Sequence, residues 1–309
     1  MAMDGESSST SSRVKDWFLS SPLARIKLAK WASPAVLTDW LASVILLVIG
    51  RHLADQLPFQ QPIKPFLGDP TLQYEYVPVD QQTITGEFNI WLTLMMPLAL
   101  MLAISTARGS LKEAHFAALG IISGYILNDL VTNFIKGRVG RFRPDFFSRC
   151  QWDATREICT GVASVIQEGR RSFPSGHSSS AFFGCVFLVL FLAGKNRAFT
   201  FSSTWPSSGI LYSRYLRLGL AVWPLFLCFY IAISRWEDHW HHPTDIMTGS
   251  LIGTIIAFIV YHLYFPSPFF SSNYETMAFP RKTHKDLEEE QLDEDDAEEQ
   301  EDLLGEERV

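Results

Sequence analysis

Three short stretches of this chain gather side chains suited to holding and attacking an anion. KGRVGRFRP, Lys136 to Pro144, sets an ammonium and a guanidinium seven residues apart, with glycines at 137 and 140. Lysine offers a point charge and arginine a planar bidentate fork, the two usual ways of gripping phosphate. FPSGH, Phe173 to His177, stands at the threshold of an apolar run. A helix starting there turns unpaired N–H groups of Ser175, Gly176 and His177, and the positive end of its dipole, outward as an anion site. SRWEDHWHHPTD, Ser234 to Asp245, places Arg235 before His241 and Asp245 four residues after it. With a helix starting near Pro243, Asp245 falls in its first turn and reaches the His241 imidazole. A carboxylate that fixes the tautomer is what a nucleophilic histidine needs.

Each stretch also has a simpler reading. The first suits a basic loop touching lipid headgroups, and the second a serine helix cap beside an interfacial histidine. The third offers His239, His241, His242 and Asp245 as metal ligands. Against a metal, the facing loop brings cations rather than further carboxylates, and a pocket with three or more positive charges has less use for one.

The elements that must carry these residues are membrane spans. Composition is rich in aromatics, with 23 Phe and 9 Trp, and apolar runs recur between Pro, Gly and charge, which argues for one membrane-embedded body. The runs predict six helices at about 36–54, 88–106, 114–135, 176–194, 216–234 and 245–264, each near the ~20 residues a bilayer requires. The first is crowded by Asp39 and Arg51. Residues 1–17 lack an apolar core, so no cleavable signal peptide is expected. SPLARIKLAKW, residues 21–31, alternates basic and apolar groups, as a helix on an anionic surface or a positive flank of the first span would.

Six spans put both ends of the chain on one side. Lysines and arginines before the first span, Arg108 and Lys112 between the second and third, and Lys195, Arg197, Arg214 and Arg217 between the fourth and fifth make that side cytoplasmic. One loop disobeys. Between the third and fourth spans, on the opposite side, lie Lys136, Arg138, Arg141, Arg143, Arg149, Arg156, Arg170 and Arg171. Cations where topology disfavours them point to an anionic ligand. The same loop carries Cys150 and Cys159, which a non-cytoplasmic compartment permits to pair, whereas Cys185 and Cys228 fall inside spans as small apolar residues.

The net charge of −7 hides a division, because residues 286–309 hold fourteen acidic residues against Arg308 and leave the rest positive. So charged and aromatic-poor a tail is expected to be disordered. Its EEQEDLL resembles an acidic dileucine sorting signal ending in Leu303 and Leu304.

The three stretches together resemble the type 2 phosphatidic acid phosphatase (PAP2) superfamily, the lipid phosphate phosphatases, whose signature reads K-x6-RP, PSGH and SR-x5-H-x3-D. Lys136, Arg143 and Pro144, then Pro174 to His177, then Ser234, Arg235, His241 and Asp245 match it in order and spacing. The resemblance covers about residues 36–264 and excludes both tails. It implies an all-α, six-span polytopic fold and metal-independent hydrolysis of phosphomonoesters or pyrophosphates through a phosphohistidine, with no cofactor. By position, His241 is the nucleophile and Asp245 its orienting group. His177 is the general acid and base, and Lys136, Arg143, Ser175, Gly176 and Arg235 hold the phosphoryl oxygens. Arg170 and Arg171 match no motif position and are read as drawing anionic headgroups to the face.

The expected organisation is a cytoplasmic segment 1–35, a catalytic domain 36–264 and a cytoplasmic tail 265–309. The expected substrates are phosphatidate, lysophosphatidate, diacylglycerol pyrophosphate or a sphingoid phosphate, cleaved at the lumenal or extracellular face of a vacuolar, Golgi or plasma membrane. A sorting adaptor at Leu303 and Leu304 is the one protein partner suggested, and no nucleic acid is expected. A phosphotransferase using the same site and a non-catalytic lipid-binding protein are the alternatives; the second is disfavoured because no motif residue is missing. Vanadate haloperoxidases share similar motifs but are soluble.

Overall fold

The computed structural model describes residues 34–200 and 213–269. The amphipathic stretch 21–31, the acidic tail and its dileucine lie outside them. The chain divides into two compact units, Trp40–Met277 and a second made of residues 1–39 and 278–309. Of the second, only 34–39, the start of the first helix, are described.

Six helices are long and apolar enough to cross a membrane: α1 (Pro34–Asp55), α2 (Gly86–Ala107), α3 (Leu111–Val139), α6 (Gly176–Asn196), a fifth span Arg214–Glu237, and α9 (Pro243–Tyr264). Pro224 divides the fifth into α7 (Arg214–Val222) and α8 (Pro224–Glu237), since proline cannot donate to the preceding turn. Within α2, residues Trp91–Met95 form a π-helical turn. Two short helices, α4 (Phe146–Cys150) and α5 (Ala163–Glu168), lie between α3 and α6. The strands described are β1 (Trp152–Asp153) and β2 (Ile158–Cys159), an antiparallel pair with Trp152 opposite Cys159. The fold is all-α, and the chain is a multi-pass membrane protein.

Helix α6 is the hub. It carries no Asp, Glu, Lys or Arg from Gly176 to Gly194, and a helix apolar on every side belongs in an interior. Accordingly 78 % of its apolar window is buried, against 17–44 % for the other five spans. Helix α9 approaches it closely because Gly249 and Gly253 lack side chains. A Cβ on Gly249 would stand 2.4 Å from Ser175 O, and one on Gly253 would stand 2.1 Å from Ser179 O. Small residues at such crossings replace the hydrophobic drive that lipid does not supply. Polar rivets add to this: Asn89 Nδ2 donates to Ser180 Oγ at 2.7 Å, and Ser179 Oγ meets Asn128 Nδ2 at 3.2 Å and Thr132 Oγ1 at 3.0 Å. Ala181 and Cys185 pack with Cys228, Ile231 and Ile84, fixing α8 to the same hub.

The segment between α3 and α6 is a folded cap. Gly140, at φ +61°, ends α3, and its N–H donates to Lys136 O. A side chain there would collide with Phe59 O, 2.1 Å from the Cβ position. Phe142, Phe146 and Cys150 then build a small core with Leu72. A disulfide joins Cys150 to Cys159.

Candidate active site

The end of α3, the start of α6, the end of α8 and the start of α9 lie on one side of the bundle, and each delivers part of the site. Lys136 sits in the last turn of α3 and donates to Arg171 O at 2.8 Å. Ser175 caps α6; its Oγ receives the Ser178 N–H at 3.3 Å and the Ser178 hydroxyl at 2.9 Å, while its own N–H donates to Asp245 O at 2.9 Å. Gly176 and His177 form the first turn of α6, and a Cβ on Gly176 would lie 3.6 Å from Lys136 Cε. Arg143, Arg235 and Lys136 all act electrostatically on the His177 ring. Its Nε2 is buried without a hydrogen-bond partner.

Arg143 is the centre of the cluster and is 2 % exposed. Its Nε donates to Glu168 O at 2.9 Å, its Nη2 pairs with the Glu168 carboxylate, and its Nη1 donates to Trp240 O at 2.9 Å and to His241 Nε2 at 3.2 Å. Guanidinium donates and never accepts, so His241 Nε2 is the acceptor and the ring proton resides on Nδ1. The lone pair of Nε2 therefore points into the cationic cluster. Burial first, then Arg143 and Lys136, push the His241 pKa well below its ordinary value, with Asp245 opposing. That shift favours the neutral imidazole, the form with a free ring lone pair.

Asp245 occupies the third position of α9, where its carboxylate receives the His242 N–H at 3.0 Å in a capping box. It is fully buried, and its oxygens also accept from Ser172 Oγ at 2.5 Å and Arg141 Nη1 at 2.7 Å. Here the structure departs from expectation. Asp245 does not hydrogen-bond His241: Oδ2 stands 3.7 Å from Nδ1, beyond hydrogen-bond range, because three other donors already hold the carboxylate. Its hold on the ring is electrostatic, and catalytic hydrogen bonds often tighten only when substrate arrives.

Arg235 is fully buried, held by Gln82 Oε1 at 2.7 Å, Asp238 Oδ2 at 2.9 Å and Ser234 Oγ at 3.0 Å. Asp238 also accepts the Thr83 N–H and hydroxyl, so the loop before α2 is tied to the end of α8. The Trp240 ring has two guanidinium groups against it, those of Arg143 and Arg149 at 4.5 Å each, and donates from Nε1 to Val77 O at 3.0 Å. These contacts hold the loop that carries His241. A cavity of about 150 Å³ opens on His241 and is bounded by Tyr74, Trp236, His239 and Pro243 among others.

The eight motif residues thus converge, while two of the loop arginines do something else. Arg170 is not at the surface drawing headgroups. It is buried, donates to Gln61 O at 2.9 Å and lies over the rings of Phe142 and Phe146, so it is part of the cap's core. Arg171 offers its carbonyl to Lys136 and its guanidinium to Gln56 O. Arg141, Ser172, Glu168, Gln82 and Asp238 were not singled out from sequence. A signal existed for Arg141, since a buried carboxylate demands a cation and this loop is full of them. His239 is stacked on Tyr74, with ring centroids 4.2 Å apart. Among the described residues no three His, Cys, Asp or Glu side chains come together as metal ligands.

A buried imidazole flanked by a carboxylate, a second histidine at a helix start and a cage of cations, all at the ends of membrane spans, define a class of membrane phosphohydrolase site. The chain belongs to the PAP2 superfamily, whose model matches residues 117–268 and so takes in all three stretches. It is 33 % identical to lipid phosphate phosphatase 2 of Arabidopsis thaliana over 239 residues, 75 % of this chain and 78 % of that protein. It is 30 % identical to lipid phosphate phosphatase 1 of the same plant over 252 residues, 78 % of this chain and 72 % of that protein. It is also 28 % identical to diacylglycerol pyrophosphate phosphatase 1 of Saccharomyces cerevisiae over 252 residues, 77 % of this chain and 81 % of that protein. No solved structure matches the chain.

Proposed function

We propose that this chain hydrolyses lipid phosphates, with phosphatidate, lysophosphatidate and diacylglycerol pyrophosphate as the substrate class, and that it does so without a metal. The observation that carries the reading is the pairing of His241 Nε2, unprotonated, with a buried Arg143 at 3.2 Å. Nucleophile and phosphate-binding cation share one spot. Phosphoryl transfer asks mainly for positioning and charge neutralisation, and this arrangement supplies both.

In the first step the Nε2 lone pair of His241 attacks phosphorus. The bond from phosphorus to the lipid or phosphate leaving oxygen breaks, and His177 delivers a proton to that oxygen. In the second, His177 takes a proton from water, the water oxygen attacks phosphorus, and the phosphorus–nitrogen bond breaks to return neutral His241 and inorganic phosphate. Lys136, Arg143 and Arg235, with the Ser175 hydroxyl and Gly176 N–H, hold the nonbridging oxygens. Asp245 stabilises the charge that develops on His241.

The site faces the non-cytoplasmic side in this reading. Arg108 and Lys112 flank the α2–α3 turn, and Lys195, Arg197, Arg214 and Arg217 flank the α6–α7 connection at the opposite end of the bundle. The disulfide in the cap suits an oxidising compartment. The tails flanking the catalytic domain are cytoplasmic, and Leu303 and Leu304 serve as a sorting determinant for an adaptor.

The test is phosphate release from a panel of these lipids by purified protein in detergent with excess EDTA, beside His241→Ala. Release by the wild type alone is expected, with loss of the trapped phosphoenzyme in the variant. Near-normal turnover by His241→Ala would remove it as nucleophile, and activity that needs added magnesium would overturn the metal-free mechanism.

A further inference from the structure

Helices α8 and α9 both rest on α6 but make little contact with each other, so a groove opens between them. Its volume is about 890 Å³, its floor is Phe182 of α6, and no charged residue lines it. Phe229, Ile233 and Trp236 form one wall, spaced as one face of a helix. Pro243, Met247, Leu251 and Thr254 form the other. Trp236 and Pro243 also bound the small polar cavity that opens on His241. The apolar groove therefore begins where the catalytic cavity ends.

Length identifies the occupant. From Pro243 to Thr254 the α9 wall rises through eleven residues, about 16 Å at the helical rise. That is about half of the ~30 Å hydrocarbon core, the depth one leaflet gives an acyl chain. We propose that the groove between α8 and α9 seats an acyl chain of the substrate lipid, with its phosphate at His241 and its methyl end near Thr254. The proposal rests on the functional reading above and adds to it a chain-length ruler whose zero lies at the Trp236–Pro243 gap.

A ruler predicts position-dependent effects. Thr254→Trp blocks the far end, so kcat/KM should fall for dipalmitoyl phosphatidate and stay near wild type for dioctanoyl phosphatidate. Their ratio should drop severalfold, because the longer chain loses its packing at the far end of the groove and the shorter one never reaches it. Met247→Trp, near the catalytic end, should lower both substrates. Ile259→Trp, on an exposed part of α9 outside the groove, should change neither. Turnover of p-nitrophenyl phosphate, which has no acyl chain, reports whether each variant folds. Should Thr254→Trp fail that check, wild-type protein and a phosphatidate carrying a diazirine at its chain end give the same answer: photolabel should map to the α9 peptide around Leu251 and Thr254. An unchanged long-to-short ratio in a folded Thr254→Trp, or photolabel confined to other helices, means that ordinary bilayer lipid fills the groove and overturns the proposal. If wild type releases phosphate from neither phosphatidate, the functional reading itself fails, a result separable from the first because it appears before any variant is made.

Discussion

The two nitrogens of His241 have different tasks: Nε2 faces Arg143 and Nδ1 faces Asp245. The ring's depressed pKa has two measurable consequences. Activity should not lose its nucleophile as pH falls to 6.5, so any acid limb of kcat/KM due to His241 lies below that value. Stability follows the same sign. Below about pH 6.5 the unfolded chain binds a proton on this histidine that the folded chain refuses. The stability present above the unfolded pKa is thus lost as pH drops toward the folded one. The Tm of the wild type should fall between about pH 7 and about pH 5, and that of His241→Asn should fall less; equal slopes would contradict the assignment.

Glu168 yields a second prediction at this scale. Four of the five N–H donors of Arg143 are already engaged, so a phosphate gripped through two of them displaces an acceptor. Glu168 is the replaceable one, anionic and with a side chain 44 % exposed. Burial raises its carboxyl pKa, but Arg143 and Lys136 outweigh that and hold it below the usual range, so it stays charged. Glu168→Gln keeps a hydrogen-bond acceptor and removes the competing charge. Inhibition by inorganic phosphate should tighten, and an unchanged inhibition constant would show that the carboxylate does not occupy the phosphate's place.

Among the elements, α9 depends most on a missing side chain. Gly253→Ala drives a methyl into the backbone of α6 at Ser179, and such overpacking costs about 1–3 kcal/mol. Gly137→Ala is the control, because open space surrounds that position within α3, where alanine favours helix by roughly 1 kcal/mol. Thermal unfolding in detergent should show Gly253→Ala melting lower and Gly137→Ala no lower than wild type. The six spans were legible because each is a long apolar run. The third was read as about 114–135 and is Leu111–Val139. Its hydropathy stops at Ile135, where Lys136 begins the charged stretch, yet the helix continues until Gly140 takes a left-handed turn. That extra turn is what carries Lys136 into the site. The cap was less legible. Cys150, Phe142 and Leu72 meet through packing between distant segments, and no local periodicity announces it. For that reason the motif residues were found and Ser172, Gln82, Asp238 and Glu168 were not: motif spacing is local chemistry, whereas these partners come from loops whose course is set by tertiary contacts.

For the molecule as a whole, the cap over the site carries a covalent cross-link of its own, between Cys150 and Cys159. Cys159→Ser should cost about 2–3 kcal/mol and lower the Tm, with nonreducing peptide mapping of the wild type showing the Cys150–Cys159 cross-link. Two free thiols in protein from a native membrane would remove both the cross-link and its support for a non-cytoplasmic site. The three serines that open α6 have a different consequence. Ser178 bonds Ser175 at the helix's own N-cap, whereas Ser179 is tied to α3 and Ser180 to α2, and successive helical residues point about 100° apart. Bonds to neighbours in two such directions index the helix about its own axis like a key in a shaft. An apolar helix in oil could spin with little penalty; this one has a fixed azimuth, and the aim of His177 is set by it.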